Sequence, residues 1–302
     1  MVKGEIKMQI NDEIIKKYYS DVSQTEFKRL HDFLKTHTIK QINFNGKSIP
    51  YYSCGEGEKT MLTFSGGHSG VEVLYESILG FENQYKMVVV NISPFNRLDD
   101  FSAGVNYILD EEGVGRVSVL GQSASGIFAQ TYFKRNYDRV DAMVLTNTLA
   151  PNKKKNKKWG VFLIHLFPFS VLKAIFKKKV RSWTPPEGKL PPEAVERIRF
   201  KQAFMRHIID MQFSKKNIMP LINIALEFNE KDEYPFEDFK DWKGKILIVT
   251  SEDDVCYKYV DTLMKHLPNT ELFKFPVGYK HMAPMVFRDE FQNRIKDFFN
   301  KT

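Results

Sequence analysis

The stretch Val117–Gln130, VSVLGQSASGIFAQ, decides how this chain is read. It runs from a short strand-like segment through a cluster of small residues straight into a helix-compatible segment. A strand that ends in Gly-x-Ser-x-small and enters a helix at once makes a very tight turn, so the residues two before and two after the serine must be small. Two serines compete for that place. Ser123 has Gly121 and Ser125 at the flanking positions, whereas Ser125 has Ser123 and Ile127, whose branched side chain does not fit. Ser123 is therefore the candidate nucleophile. The usual fifth residue is glycine. Ser125 adds only a hydroxymethyl group, and the following Gly126 relieves the crowding.

Working outward, short apolar runs recur at Thr60–Phe64, Met87–Ile92, Val117–Leu120, Ala142–Thr146, Ile246–Thr250 and Glu271–Phe275, most of them separated by helix-compatible stretches. Parallel strands buried on both faces read this way. Before them, Ile39–Phe44 and Ser48–Ser53 alternate in strand fashion around Asn45-Gly46, a hairpin signal. Residues 12–36 read as two short helices, the second opening with a capping box between Ser23 and Glu26. Asp289–Phe299 carries Phe291, Ile295, Phe298 and Phe299 on one helical stripe. From about Leu149 to Lys243 the strand signal disappears and helical ones replace it, at Trp159–Phe176, Pro192–Met211 and Lys216–Asn229. That interval is too long for a loop and reads as a helical insertion between two strands. The expected organisation is thus an N-terminal helical extension over 1–36, an α/β core of 37–148 and 244–302, and a helical cap over 149–243 inserted after the sixth strand.

Candidate partners for Ser123 follow it in the order acid, then histidine, each just past a strand. The run KILIVTSEDDV ends in Asp253-Asp254; Asp254, three residues past Ser251, has the expected spacing, and Asp253 stays open as the alternative. ELFKFPVGYKHMAP then supplies His281. Stabilising an oxyanion needs N–H donors aimed at the developing charge. The glycine turn in MLTFSGGHSG offers Gly67 N–H, paired with Ala124 N–H after the nucleophile. His68 reads as a solvent-facing loop residue.

These features together resemble the α/β-hydrolase superfamily over roughly residues 40–300, with a weaker likeness to its maspardin-like members in the SGG loop, the serine turn and the start of the insertion. Most relatives carry His-Gly where this chain has Ser65-Gly66. The resemblance implies a mostly parallel sheet flanked by helices, a Ser123-His281-Asp254 triad and hydrolysis of a small-molecule acyl substrate such as a carboxylic ester. Some members of that superfamily have lost catalysis and act as binding proteins, and the departures at Ser65 and Ser125 keep that alternative in view.

The net charge is +8, and ten Lys and Arg with no acid fall between Asn152 and Trp183. The remaining chain is therefore at about −2, and the basicity is a local patch, Lys153–Arg181. Its apolar middle contains His165, Pro168 and Lys173 and is a poor membrane span, so two helices broken near Pro168 are expected. The segment reads as a lid over the site, and also as an element that could meet anionic headgroups peripherally. No nucleic-acid motif accompanies it, and no nucleic acid is expected as a partner. Trp159, Phe162, Phe167 and Met205 are the expected lining of an apolar acyl pocket, with Met211 and Met219 as further candidates. Two isolated cysteines, Cys54 and Cys256, imply neither a disulfide framework nor a zinc site and fit a cytoplasmic setting. The seven histidines show no ligand spacing, so neither a metal nor an organic cofactor is expected.

Overall fold

In the computed structural model, which describes residues 8, 10–66, 70–152, 168–181, 190–231, 239 and 241–302, eight strands form one sheet. They are β1 (Lys40–Phe44), β2 (Lys47–Cys54), β3 (Thr60–Phe64), β4 (Lys86–Val90), β5 (Val117–Gln122), β6 (Val140–Thr146), β7 (Lys245–Ser251) and β8 (Thr270–Phe275). Their order is β1-β2-β4-β3-β5-β6-β7-β8. β1 and β2 pair antiparallel, as do β2 and β4, and all other neighbours are parallel. The β1–β2 turn has positive φ at both Asn45 and Gly46, the geometry that a two-residue hairpin demands.

Nine helices of seven or more residues are described: α1 (Gln24–Thr36), α2 (Tyr75–Phe81), α3 (Leu98–Glu111), α4 (Ser125–Asn136), α5 (Phe169–Arg181), α6 (Pro192–Gln212), α7 (Lys215–Lys231), α8 (Val260–His266) and α9 (Arg288–Asn300). Alternate strand residues supply two cores. Leu62, Phe64, Val88, Val90, Val119, Met143 and Ile246 pack with Phe101 and Val105 of α3 and Phe128 and Tyr132 of α4. On the other face Met61, Met87, Leu120, Val144, Leu247 and Val249 meet Phe81 of α2 and Phe291, Ile295, Phe298 and Phe299 of α9. Both faces are dry, so these strands read as continuous apolar runs without alternation.

The cap helices α5, α6 and α7 lie between β6 and β7 in the chain and share a small core of Val180, Met205, Ile209, Phe213 and Ile218. Pro168 immediately precedes α5, and the segment expected as a first helix before it, residues 159–167, lies outside the described residues. The N-terminal helices are wedged between cap and sheet: Tyr19, Leu30 and Phe33 bury against Tyr52 of β2 and Phe200, Phe204 and Ile208 of α6.

Two local expectations are corrected. Ser23 caps α1 by position only, with no side-chain bond; Glu26 turns away to Arg288 of α9 at 3.3 Å and Arg29 at 3.5 Å, which replaces the capping box by charge pairing. Met211 does not line a pocket but is 62% exposed, because it falls on the outer face of α6.

Candidate active site

Ser123 sits between β5 and α4 with φ 54°, a left-handed conformation that a non-glycine residue adopts only under constraint. The constraints are visible. Ser123 N–H donates to Thr146 O at 2.8 Å, Ser123 O accepts from Thr148 Oγ1 at 2.7 Å and from Gly126 N–H at 3.1 Å. The Ser125 hydroxyl is buried; it accepts from Gln122 N–H and donates to Gln122 O, both at 2.8 Å, so the residue that departs from glycine staples the turn. The tight approach that requires glycine is not between positions 121 and 125. A Cβ on Gly121 would come within 2.5 Å of Ala129 Cβ and 2.7 Å of Gly126 Cα, and one on Gly126 would overlap Thr148.

His281 lies on a 3-10 turn, Lys280–Met282, beyond β8. Its Nε2 is 2.9 Å from Ser123 Oγ and its Nδ1 is 2.7 Å from Asp254 Oδ2. The Asp254 side chain is fully buried while that of His281 is 39% exposed, so the acid is dry and the ring reaches the cavity. Burial pushes the Asp254 carboxyl up, but the hydrogen bond and charge of His281 and the Cys256 amide, which donates to Oδ1 at 2.5 Å, bring it below the usual carboxylate value. An ionised Asp254 only accepts, so His281 Nδ1 carries the proton and Nε2 faces Ser123 with a lone pair.

The alternative acid has a different task. Asp253 accepts from Ser251 Oγ at 2.5 Å, Gly278 N–H at 2.7 Å and Lys280 N–H at 3.3 Å, which ties the histidine loop to the end of β7. Asn147, a residue that no sequence motif singles out, adds a second tie: its Nδ2 donates to His281 O at 3.4 Å and its backbone is left-handed at φ 46°. Cys256 lies beside the pair, yet burial and then the Asp254 charge push its thiol up to about 12, so it stays protonated and does not compete as a nucleophile.

Ala124 N–H opens α4 and takes no acceptor among the described residues. Gly67 and His68 lie outside the described residues, as do Trp159, Phe162 and Phe167. Ser65 is buried just past β3; its hydroxyl is 3.4 Å from both Asn91 Oδ1 and Ile92 N–H, and so faces the segment that follows β4.

Ser123, Ala124 and His281 line a cavity of about 620 Å³. Of the expected pocket residues, Met205 lines it, and Met219 does not; Phe176, Val180, Ile209 and Leu221 add to its apolar wall from the cap, opposite core residues such as Phe81 and Ile127. The cap residues are hard to foresee because α5, α6 and α7 each have several apolar positions, and only the docking of the cap decides which face the serine.

No protein-family model matches this sequence, and no curated sequence does. Solved structures do match in shape. A serine hydrolase from the polyaromatic-hydrocarbon-degrading bacterium Cycloclasticus zankles aligns over 87% of this chain and 98% of its own at 14% identity, with a TM-score of 0.65. Naproxen esterase from Bacillus subtilis covers 97% of this chain and 100% of its own at 14% identity and a TM-score of 0.61. A meta-cleavage product hydrolase from Pseudomonas fluorescens aligns over 87% and 97% at 18% identity and a TM-score of 0.57. An α/β-hydrolase fold protein from Chitinophaga pinensis matches at a TM-score of 0.65. With the strand order above, they establish the fold: this chain has the α/β-hydrolase fold.

Proposed function

We propose that the protein is a serine hydrolase of carboxylic esters or related acyl compounds, acting through Ser123, His281 and Asp254 by way of an acyl-enzyme. The observation that carries this reading is the unbroken relay from Ser123 Oγ to His281 Nε2 at 2.9 Å and from Nδ1 to Asp254 at 2.7 Å, opening onto the 620 Å³ cavity. As Ser123 Oγ attacks the acyl carbon, its proton passes to His281 Nε2, and the ionised Asp254 stabilises the imidazolium. Ala124 N–H faces the developing oxyanion, with Gly67 N–H as the proposed second donor. The imidazolium returns the proton to the leaving alcohol, and water then repeats the sequence to free the acid. The apolar wall formed by α5, α6 and α7 favours an acyl group with a hydrophobic chain.

The test is a fluorophosphonate probe on the purified chain, with the adduct mapped by mass spectrometry. The expected result is modification at Ser123 that disappears in His281→Ala. A folded protein that takes no label would overturn the reading and leave a catalytically silent binding protein.

A membrane duty for the cap is proposed beside it. On α5, Val171 and Ile175 are exposed one turn apart, next to exposed Lys178, an apolar stripe with cationic flanks. Lys173 and Lys177 do not contribute, since both pair with Asp210 of α6. No described helix is long and apolar enough to cross a membrane, so the contact would be peripheral.

A further inference from the structure

Away from the cavity, three residues far apart in sequence converge where α1, β2 and α2 end. His37 is the C-cap of α1, Cys54 the last residue of β2 and Glu82 the C-cap of α2. One ligand atom from each, a ring nitrogen, the thiol sulfur and a carboxylate oxygen, lies within 4.8 Å of the others, and all three residues are partly open to solvent. None of them lines the cavity of Ser123.

The hydrogen-bond roles around His37 depend on which ring nitrogen carries the proton. Thr36 Oγ1 donates its proton to Asp32 O at 2.9 Å. His37 Nδ1 faces Thr36 Oγ1 at 2.9 Å and Phe33 O at 3.2 Å, and in the tautomer that carries the proton on Nδ1 it donates to that carbonyl. His37 Nε2 faces Glu82 Oε2 at 2.7 Å, and a carboxylate can only accept. In that tautomer a neutral ring points its Nε2 lone pair at the carboxylate, a pair of donors that a metal cation can bridge; in the other, Nε2–H donates to Glu82. A histidine whose Nδ1–H is anchored to a backbone carbonyl, leaving Nε2 outward, is the arrangement that orients metal ligands.

The surroundings hold the three groups in place. Phe33 stacks on the His37 ring with centroids 4.2 Å apart. Gly55, at φ 87°, brings the strand end so close to α2 that a Cβ would come within 2.8 Å of Glu82 O. Tetrahedral zinc bound by one sulfur, one nitrogen and one oxygen sets its ligand atoms about 3.3–3.6 Å apart. The Nε2–Oε2 spacing of 2.7 Å is shorter than that range and all the ligand atoms lie within 4.8 Å of one another, so side-chain adjustment would seat a cation. The donor set, one thiolate, one imidazole and one carboxylate, is borderline-soft and carries the charge that a divalent cation neutralises.

We propose that His37, Cys54 and Glu82 form a structural site for a zinc-like divalent metal, with solvent as the fourth ligand. Binding displaces the Cys54 thiol proton and the proton between Nε2 and Glu82 to solvent, and it fastens the N-terminal helices to the sheet.

Cobalt(II) is titrated into the full, chelator-stripped chain and its absorbance followed. The expected result is a thiolate-to-cobalt charge-transfer band saturating at one equivalent, displaced by zinc, absent in Cys54→Ser and kept in Cys256→Ser. Zinc affinity should fall in His37→Gln and Glu82→Gln by more than the roughly 10–100-fold that loss of an outer partner costs. The wild-type spectrum needs no variant to fold. No band in the wild type, or a band that follows Cys256 instead of Cys54, overturns the proposal. Because Ser123 labelling plays no part, this test stands whatever the fate of the hydrolase reading.

Discussion

Gly126→Ala separates a steric account of the nucleophile turn from a purely hydrogen-bonded one. An added Cβ would overlap Thr148 Oγ1 and come within 2.5 Å of Thr148 Cβ and 2.8 Å of its Cγ2. Rotating Thr148 cannot relieve this, because its Cβ does not move with the rotamer. The backbones of α4 and of the segment after β6 must separate instead. Overpacking of this kind costs about 1–3 kcal/mol. The same displacement breaks the 2.7 Å bond from Thr148 Oγ1 to Ser123 O, worth about 0.5–1.5 kcal/mol. The variant should therefore lose about 1.5–4.5 kcal/mol in urea denaturation and label more slowly with fluorophosphonate, since the strained Ser123 loses an anchor. Thr148→Val deletes the hydrogen bond while keeping the branched shape, and should cost about 0.5–1.5 kcal/mol. Gly115→Ala, where no atom lies within 4 Å, is the control and should shift stability by less than about 1 kcal/mol. If Gly126→Ala is no more destabilising than Thr148→Val, close packing does not dictate the turn and the reasoning fails.

Asp254→Asn should lower kcat/KM on a p-nitrophenyl ester by about 10⁴-fold, because an amide favours the wrong histidine tautomer. Asp253→Asn should cost at most about 10²-fold, because it only loosens the loop; equal losses would reverse the two roles. Glu112 shows the pH dependence. Burial pushes its carboxyl up, but bonds from Lys40, Ser53 and Tyr51 overcome this and hold it at about 2. Its stabilisation is complete above the unfolded value near 4.5 and is lost as pH falls toward 2; by linkage it amounts to about 3 kcal/mol. Glu112→Gln should remove that part of the acid sensitivity in a denaturation series, and an unchanged pH slope would count against it. Met205→Trp should narrow the cavity and cut turnover of long-chain esters about tenfold relative to acetate esters. Phosphatidylserine vesicles should sediment the wild type and release it at high salt, whereas Val171→Asp with Ile175→Asp should stay in solution; equal sedimentation would remove the membrane duty of α5.

What could be foreseen in this sequence divides along a physical line. The sheet was legible, because strands covered on both faces must be short apolar runs such as Met87–Val90 and Ile246–Thr250. The turn at Ser123 was legible too, since its smallness is a local demand, although the close neighbours of Gly121 are Gly126 at the start of α4 and Ala129 a turn further on, and not Ser125. Groups that act through the chain's return were not. Asp253 and Asp254 are adjacent and chemically identical, and only the path of the loop after β8 gives one the imidazole and the other the amides of Gly278 and Lys280. The pocket wall depends on how the cap docks, which helical periodicity leaves open. His37, Cys54 and Glu82 are the extreme case. No spacing links them, and their meeting follows from a left-handed Gly55 that lets a strand end against a helix end. Motifs report chemistry that one tight segment must carry. Sites assembled across several elements leave only ordinary residues in the sequence, and for those the arrangement of donors and acceptors in space is the first legible sign.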